Sequence, residues 1–270
     1  MVSFRKLLNE CGVVIRGAFS SEMIHVDLKD DHLTFTKDEH ENMEIEWRKA
    51  EQNRTRLYDG PLVHLHGLRE QEGQLYFTLL QTTCKEYIGT GGHDLKGSVS
   101  GRIHPVSVGT VVLTSDAKLI HGRRKNVEFD GLIGVPAGLV NPDVDGRNRS
   151  LDFFIALRRE LCEEVGIREY AIRHTLCLGV IGKEQPYLAF VTEINLSYVE
   201  LTKLRPMEVE FEKFDATPGD SLSVALLLSR CRENMATYAL ANILLYGGWS
   251  FGEKWLDSEV LATGNLKIRD

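Results

Sequence analysis

The clearest periodicity along the chain lies between residues 151 and 167, where apolar positions recur at spacings of three and four. This pattern predicts one amphipathic helix that ends at Gly166 and has Ser150 as its N-cap. A strand-like run over 131–138 and a polar, turn-rich loop over 141–150 precede the helix. The residues that share its buried face are Phe153, Phe154, Leu157, Leu161 and Val165.

The first hundred residues are predicted to be rich in β-structure. Apolar runs predict strands at 13–15, 24–28 and 33–35, and a hairpin whose strands are 62–68 and 74–81. The charged stretch 37–53 carries apolar residues at helical spacing, which predicts an amphipathic helix. Residues 82–101 are rich in Gly, Thr and Ser and lack periodicity, so we predict a loop there.

The remaining residues mix strands and helices. The pattern predicts a hairpin of strands 106–113 and 118–124, and two more strands at 176–181 and 187–195. A short alternating segment at 208–214 precedes two helices, 223–232 and 233–246, of which the second ends near Gly247. This order of elements predicts the α+β class or a three-layer α/β/α sandwich.

Composition narrows the class of protein. The 270 residues are 43% hydrophobic and 26% charged, as is usual for globular proteins. The net charge is 32 − 39 = −7 and no long basic run occurs, which argues against a nucleic-acid partner. The five cysteines are scattered and form no CxxC pair, which favours a reducing, cytoplasmic location. The chain has no apolar leader and no long apolar span, so we expect neither secretion nor a membrane partner.

Three carboxylates fall on one stripe of the predicted helix. Glu160 and Glu164 are one turn apart and Glu163 lies between them, so they repel one another in the absence of a cation. One interpretation is a solvated acidic face, and the other is a site for a hard divalent cation bound by oxygen ligands. Arg159 is four residues before Glu163 and seven after Asp152, so it can pair with either acid.

The helix and the glycine loop before it resemble the Nudix box. Residues 159–167, RELCEEVGI, match the second half of that motif, R-E-U-x-E-E-x-G-U, where U is a bulky aliphatic residue. The first half departs from the motif in two ways. The motif requires an acid at position 151, whereas in this chain the acid is Asp152. The loop after Gly138 is also longer than the motif allows.

Several stretches outside the box resemble the UDP-sugar diphosphatase branch of Nudix hydrolases. They are 47–61, 83–90, 178–184 and 239–246. The resemblance implies an α+β fold, a Nudix α/β/α sandwich with a mixed sheet over residues 104–270, preceded by a β-rich subdomain over 1–103. It also implies a small-molecule nucleotide sugar as substrate and a monomer or homodimer as the assembly.

The resemblance further implies a cofactor, Mg²⁺ or Mn²⁺ in its place. The implied metal ligands are Glu160, Glu163 and Glu164, which Arg159 would hold in place. The general base is either a box glutamate such as Glu163 or a glutamate on a later loop. Candidates on later loops are Glu184 and Glu208, and each of these is alternatively a further ligand or an exposed acid.

The same resemblance implies substrate-binding positions. Gly138 would let the backbone approach the metal site. Arg124 ends a strand beside the expected cleft, where it either meets phosphates or lies on the surface. Uracil and sugar recognition would fall to the loop that contains Tyr87, Gly89 and Thr90, together with the N-terminal subdomain.

The activity implied by the resemblance is Mg²⁺-dependent hydrolysis of UDP-glucose or UDP-galactose to UMP and sugar 1-phosphate. An alternative keeps this chemistry with ADP-ribose or another nucleoside diphosphate compound as substrate. A third possibility, from another class, is a Nudix module that binds a nucleotide or a protein without cleaving it. The displaced Asp152 is the only feature in favour of this third possibility.

Overall fold

The computed structural model describes residues 2–53, 57–90, 103–125, 129–147, 150–182, 186–260 and 266–267. Eight α-helices are found in these ranges: α1 (Phe4–Glu10), α2 (Lys37–Asn53), α3 (Cys84–Gly89), α4 (Phe153–Glu160), α5 (Tyr198–Leu201), α6 (Ser221–Cys231), α7 (Thr237–Phe251) and α8 (Glu253–Leu256). The first eight strands are β1 (Val2–Ser3), β2 (Val13–Phe19), β3 (Ile24–His32), β4 (Pro61–Gln71), β5 (Gln74–Thr83), β6 (Ser107–Leu113), β7 (Lys118–Arg124) and β8 (Ile133–Gly134). The others are β9 (Ala137–Leu139), β10 (Gly146–Arg147), β11 (Ser150–Leu151), β12 (Ile172–Ile181), β13 (Tyr187–Ile194), β14 (Phe211–Pro218), β15 (Glu259–Val260) and β16 (Leu266–Lys267).

The largest sheet is mixed. Its strand order is β14-β7-β6-β13-β12-β2, with β8 paired to β7 and β9 paired to β6. β6 and β13 are parallel, with Val108 opposite Leu188, whereas β12 and β13 are antiparallel. The predicted hairpin of 106–113 and 118–124 is confirmed as β6 and β7, and its turn contains Ser115 and Asp116.

Helices cover both faces of this sheet. Successive residues of a strand point to opposite faces, so the apolar residues of the central strands are buried by helices on both sides. Val111 and Leu119 pack with residues of α1, α6 and α7 in one apolar cluster. Their neighbours Val112 and Ile120 belong to a second cluster, which contains the buried residues of α4. The predicted α+β class, with a mixed sheet between helical layers, is therefore confirmed.

A smaller sheet of order β3-β5-β4 lies in the N-terminal region, together with α2 and α3. The predicted helix over 37–53 and hairpin of 62–68 and 74–81 are confirmed as α2 and β4–β5. The proposed boundary at 103/104 remains a prediction. Two N-terminal elements nevertheless belong with the larger sheet and its helices. Strand β2 pairs with β12 of that sheet, and α1 buries Phe4 in the cluster that contains α7.

Four local predictions are wrong. Residues 82–89 of the predicted loop 82–101 are the end of β5 and helix α3, which starts at a capping box of Thr83 and Glu86, while residues 91–101 lie outside the described residues. Residues 33–35 are not a strand, because β3 ends at His32. The long helix is capped by Asp152 instead of Ser150, and α7 continues past Gly247 to Phe251.

Gly247 is inside α7 for a packing reason. A Cβ atom there would lie 2.1 Å from the indole of Trp255, so only a glycine lets this side chain pack against the helix. The helix ends one residue before Gly252, whose φ of 88° is in the left-handed region. Of the helices described, none is both long enough and apolar enough to cross a membrane.

Candidate functional site

The site is built on α4 and its π-helical continuation Leu161–Val165, which we call the box helix. The helix starts where the Asp152 side chain accepts a hydrogen bond from the amide of Phe154 at 2.7 Å. It ends at Gly166, whose φ of 83° turns the chain away. A π-helical turn is a frequent feature of functional sites, and here it carries Glu163 and Glu164.

Arg159 is the central cation of the site. Its Nη1 donates to Glu160 Oε1 at 2.6 Å and to Glu163 Oε2 at 2.8 Å. Its Nε and Nη2 donate to the two oxygens of Asp145 at 2.8 and 2.9 Å, and Nη2 also donates to the carbonyl of Leu139. This fork-shaped pairing fixes the guanidinium plane. The predicted pair of Arg159 and Glu163 is present in the structure.

Asp152 is not the acid that pairs with Arg159, contrary to one of the two alternatives from sequence. Its carboxylate caps the helix, and fully buried Asp145 binds the guanidinium instead. The sequence shows no signal for Asp145 beyond an acid in a polar loop. It comes near the helix because β10 and β11 pair as a short hairpin and the amide of Asp152 donates to the carbonyl of Asp145.

Glu160 lies directly against the backbone of Gly138. A Cβ atom at position 138 would be 2.1 Å from Oε1 and 2.3 Å from Oε2 of Glu160, so the carboxylate occupies the space that a side chain would fill. Burial raises the pKa of Glu160 to about 7, Arg159 opposes this rise and Glu163 adds to it. Gly138 therefore lies against a carboxylate of the box helix, and its role beside a metal ion remains a prediction.

Glu164 is buried and held on both oxygens. Oε1 accepts from Arg124 Nη1 at 2.9 Å and Oε2 accepts from the amide of Ala137 at 2.8 Å. Burial raises the pKa of Glu164 well above its usual value, whereas the charge of Arg124 lowers it. Arg124 itself is 4% exposed, so it does not lie on the surface, and its guanidinium joins the site from β7.

Glu210 is a member of the site that sequence reasoning missed. Its carboxylate accepts from Arg124 Nη2, so Arg124 binds two acids from different parts of the chain. The sequence contains only a weak signal for this role of Glu210. The residue directly precedes β14, and the register that sets Phe211 opposite Arg124 cannot be predicted from the sequence.

The two candidates for a base on a later loop have different outcomes. Glu184 lies outside the described residues. Glu208 is exposed, and its amide, like that of Met207, donates to the carbonyl of Glu163 at 2.9 and 2.8 Å, respectively. The backbone near Glu208 thus docks on the box helix, while a role for its side chain as a base remains a prediction.

The predicted sugar-binding residues are part of α3 and the turn after it. Tyr87 is buried in an apolar cluster with Trp47, and a Cβ atom at Gly89 would meet Met43 of α2 at 2.5 Å. Thr90 Oγ1 donates to the carbonyl of Glu86 at 2.9 Å. These contacts hold α3 against α2, and substrate binding by the three residues remains a prediction.

The balance of charge favours a cation at this site. Five carboxylates contact two guanidinium groups, so full ionisation would give a charge of 2 − 5 = −3. Glu160 and Glu163 each direct one oxygen at the same nitrogen of Arg159, and such hard oxygen donors suit Mg²⁺ or Mn²⁺. Within the described ranges, however, no group of three or more His, Cys, Asp or Glu residues is arranged to hold a metal ion. The carboxylates of Glu160 and Glu163 are thus of the chemical type that holds a divalent cation, and the three glutamates as metal ligands remain a prediction.

Comparisons with known proteins give structural similarities only, since no family model and no curated protein matches the chain. A MutT protein from Methanosarcina mazei Go1 is 17% identical over 54% of this chain and 94% of that chain, with a TM-score of 0.36. A bifunctional NMN adenylyltransferase/ADP ribose pyrophosphatase from Francisella tularensis, complexed with AMP and Mn ion, is 16% identical over 58% of this chain and 44% of that chain, with a TM-score of 0.38. The Nudix domain of NrtR from Shewanella oneidensis, complexed with ADP ribose, is 18% identical over 61% and 96%, with a TM-score of 0.35. These TM-scores are all below 0.5, and the function proposed below rests on the residues of the site.

Proposed function

We propose that this chain is a Nudix-type hydrolase that cleaves the pyrophosphate bond of a nucleoside diphosphate linked to a second group. The observation that carries this proposal is the convergence of Glu160 and Glu163 on one nitrogen of Arg159, beside a backbone that has no Cβ at Gly138. If these acids formed only a solvated face of the helix, Glu160 would be exposed and would not share the guanidinium of Arg159 with Glu163. The motif and the geometry thus favour the same chemistry.

Glu160 and Glu163 would hold a divalent cation, Mg²⁺ or Mn²⁺, at this site. When bound, the cation neutralises pyrophosphate charge and lowers the pKa of a water molecule that attacks phosphorus. Arg159 keeps the two carboxylates together, and Asp145 fixes Arg159 from its other side. Glu164 anchors the helix to the backbone of Ala137, so that Gly138 stays against the metal-binding carboxylate.

The substrate that we propose is UDP-glucose or UDP-galactose, cleaved to UMP and sugar 1-phosphate. Support for this choice comes from the resemblance of four sequence stretches to UDP-sugar diphosphatases. We further propose a cytoplasmic location and a monomer or homodimer. The location is supported by the five cysteines of the chain, all of which are free thiols.

A substrate panel tests the proposal. The purified protein is incubated with Mg²⁺ and separately with UDP-glucose, UDP-galactose, ADP-ribose, ADP-glucose and NADH, and the products are identified by chromatography. We expect UMP from the UDP-sugars. Glu163→Gln should lower kcat at least about a hundredfold with the fold intact, because a metal-bound charge is lost.

The matched control is Glu169→Gln, since Glu169 is an exposed acid shortly after the same helix. This variant should keep full activity. AMP from ADP-ribose as the main product would support the hydrolase but refute the UDP-sugar substrate. Full activity in Glu163→Gln would remove the box helix from the mechanism.

A non-catalytic binding module is the second candidate, and one observation favours it. Each of the three box carboxylates already forms an ion pair with an arginine in the structure. A module of this kind would bind a nucleotide without releasing product in the presence of either metal. Release of product by wild-type protein but not by Glu163→Gln refutes it.

A further inference from the structure

We propose that Arg124 is a positioning residue that fastens the segment 207–210 against the end of the box helix. This inference deepens the proposed function and rests on it, because the segment lies beside Glu163. No sequence motif assigns this role to Arg124, for which only phosphate contact or surface exposure was expected.

The guanidinium of Arg124 is held rigidly. It lies over the ring of Phe211 with its Cζ 4.7 Å from the ring centroid. A Cβ atom at Gly134 would be only 2.8 Å from Arg124 Cδ, so β8 packs directly on the aliphatic part of the side chain. Since β7 is an inner strand of the large sheet, the position of this cation is set by the core of the protein.

Arg124 uses its two terminal nitrogens for two acids that have different surroundings. Nη1 binds Glu164, whose side chain is 1% exposed, and Nη2 binds Glu210, whose side chain is 33% exposed. Glu164 is part of the box helix, whereas Glu210 ends the segment 207–210. A planar fork of this kind links the two elements at a fixed separation, which a single ammonium group cannot do.

The segment itself is fastened by polar contacts instead of apolar burial. Its side chains Met207 and Val209 are 67% and 71% exposed. At one end, the amides of Met207 and Glu208 donate to the carbonyl of Glu163. At the other end, Glu210 binds Arg124 through its side chain and accepts a hydrogen bond from Lys125 through its carbonyl.

These contacts make Arg124 responsible for the conformation of the segment. With little apolar surface buried, the hydrogen bonds at its two ends hold the segment in place, and the link to Arg124 is a charged contact with a buried partner. Loss of this link would release the segment from Glu163, a ligand of the proposed cation. The catalytic step would then suffer more than substrate binding.

The test is Arg124→Lys, which keeps the charge but loses the fork. We expect the melting temperature to stay within a few degrees, while hydrogen exchange at the amides of Met207 and Glu208 becomes at least tenfold faster. With a cleaved substrate, kcat should fall at least tenfold and KM should change less than threefold. Arg123→Lys is the matched control, because Arg123 is the exposed neighbour that donates to the carbonyl of Gly131.

A second variant, Glu210→Gln, removes the negative charge from the exposed side of the same link and leaves Arg124 with Glu164. It should make hydrogen exchange faster at the same two amides. A global loss of stability would instead make exchange faster throughout the chain. Wild-type exchange and wild-type kcat in Arg124→Lys would overturn the proposal, as would faster exchange spread evenly over the chain. If wild-type protein cleaves no substrate, the hydrolase proposal fails, and the exchange measurement still decides the role of Arg124.

Discussion

Replacing Gly138 with alanine should lower the activity of this protein strongly and its stability only slightly. The new methyl group would point at the carboxylate of Glu160, with Oε1 at 2.1 Å. Contacts of Cβ atoms closer than 3.0 Å essentially do not occur, so the carboxylate must move by at least 3.0 − 2.1 = 0.9 Å. The carboxylate is the far end of a flexible side chain, and it can move without shifting the backbone.

The expected magnitudes follow from this displacement. Glu160 would lose its 2.6 Å hydrogen bond to Arg159, while Asp145 and Glu163 still hold the guanidinium. One charge-assisted hydrogen bond contributes roughly 1–2 kcal/mol, so the melting temperature should fall by only a few degrees. A reacting group misplaced by about 1 Å lowers kcat about a hundredfold, or about 2.7 kcal/mol in activation free energy.

The assay is kcat with saturating Mg²⁺ and substrate, with the melting temperature measured on the same samples. Gly67→Ala is the matched control, since its Cβ would meet Thr78 at 3.6 Å, an ordinary contact in another strand. Both variants should fold, and only Gly138→Ala should lose activity. Wild-type kcat in Gly138→Ala would show that the position of Glu160 does not matter for catalysis.

Two further predictions concern the charges of the site. Burial raises the pKa of Glu160 in the folded protein to about 7, whereas the unfolded chain releases this proton at lower pH. The free energy of unfolding in metal-free buffer should therefore fall by up to about 3 kcal/mol as the pH rises from about 4.5 to 7. Urea unfolding at pH 5 and pH 8 tests this: Glu160→Gln should reduce the difference, and an unchanged difference would contradict it. Asp145→Ala should cost roughly 3 kcal/mol, because it removes the fully buried carboxylate that binds two nitrogens of Arg159. In the same assay Asp143→Ala, an exposed neighbour, should cost almost nothing, and equal losses in the two variants would contradict the prediction.

The part of the site that lies on one helix could be predicted from the sequence, since helical spacing fixes which side chains are neighbours. The pair of Arg159 and Glu163 is an example, since the two residues are four positions apart in sequence and their polar atoms are 2.8 Å apart.

Contacts between distant strands could not be predicted in the same way. Arg124 ends a predicted strand and Glu210 lies within the alternating segment 208–214, and only the register of β14 on β7 brings them together. A shift of one residue in that register would turn Glu210 away from Arg124. The helix α3 is a different case, because its capping box was present in the sequence at Thr83 and Glu86 but the Gly-rich surroundings hid it.

Asp145 accounts for the two departures of this chain from the Nudix box. The additional residues before the box helix form β10 and β11, and this hairpin places the carbonyl of Asp145 2.8 Å from the amide of Asp152. Asp145 therefore supplies the carboxylate for Arg159 at the start of the helix, and Asp152 serves as the N-cap. The longer loop and the displaced acid are thus linked in the structure, because the loop supplies the carboxylate that binds the central arginine.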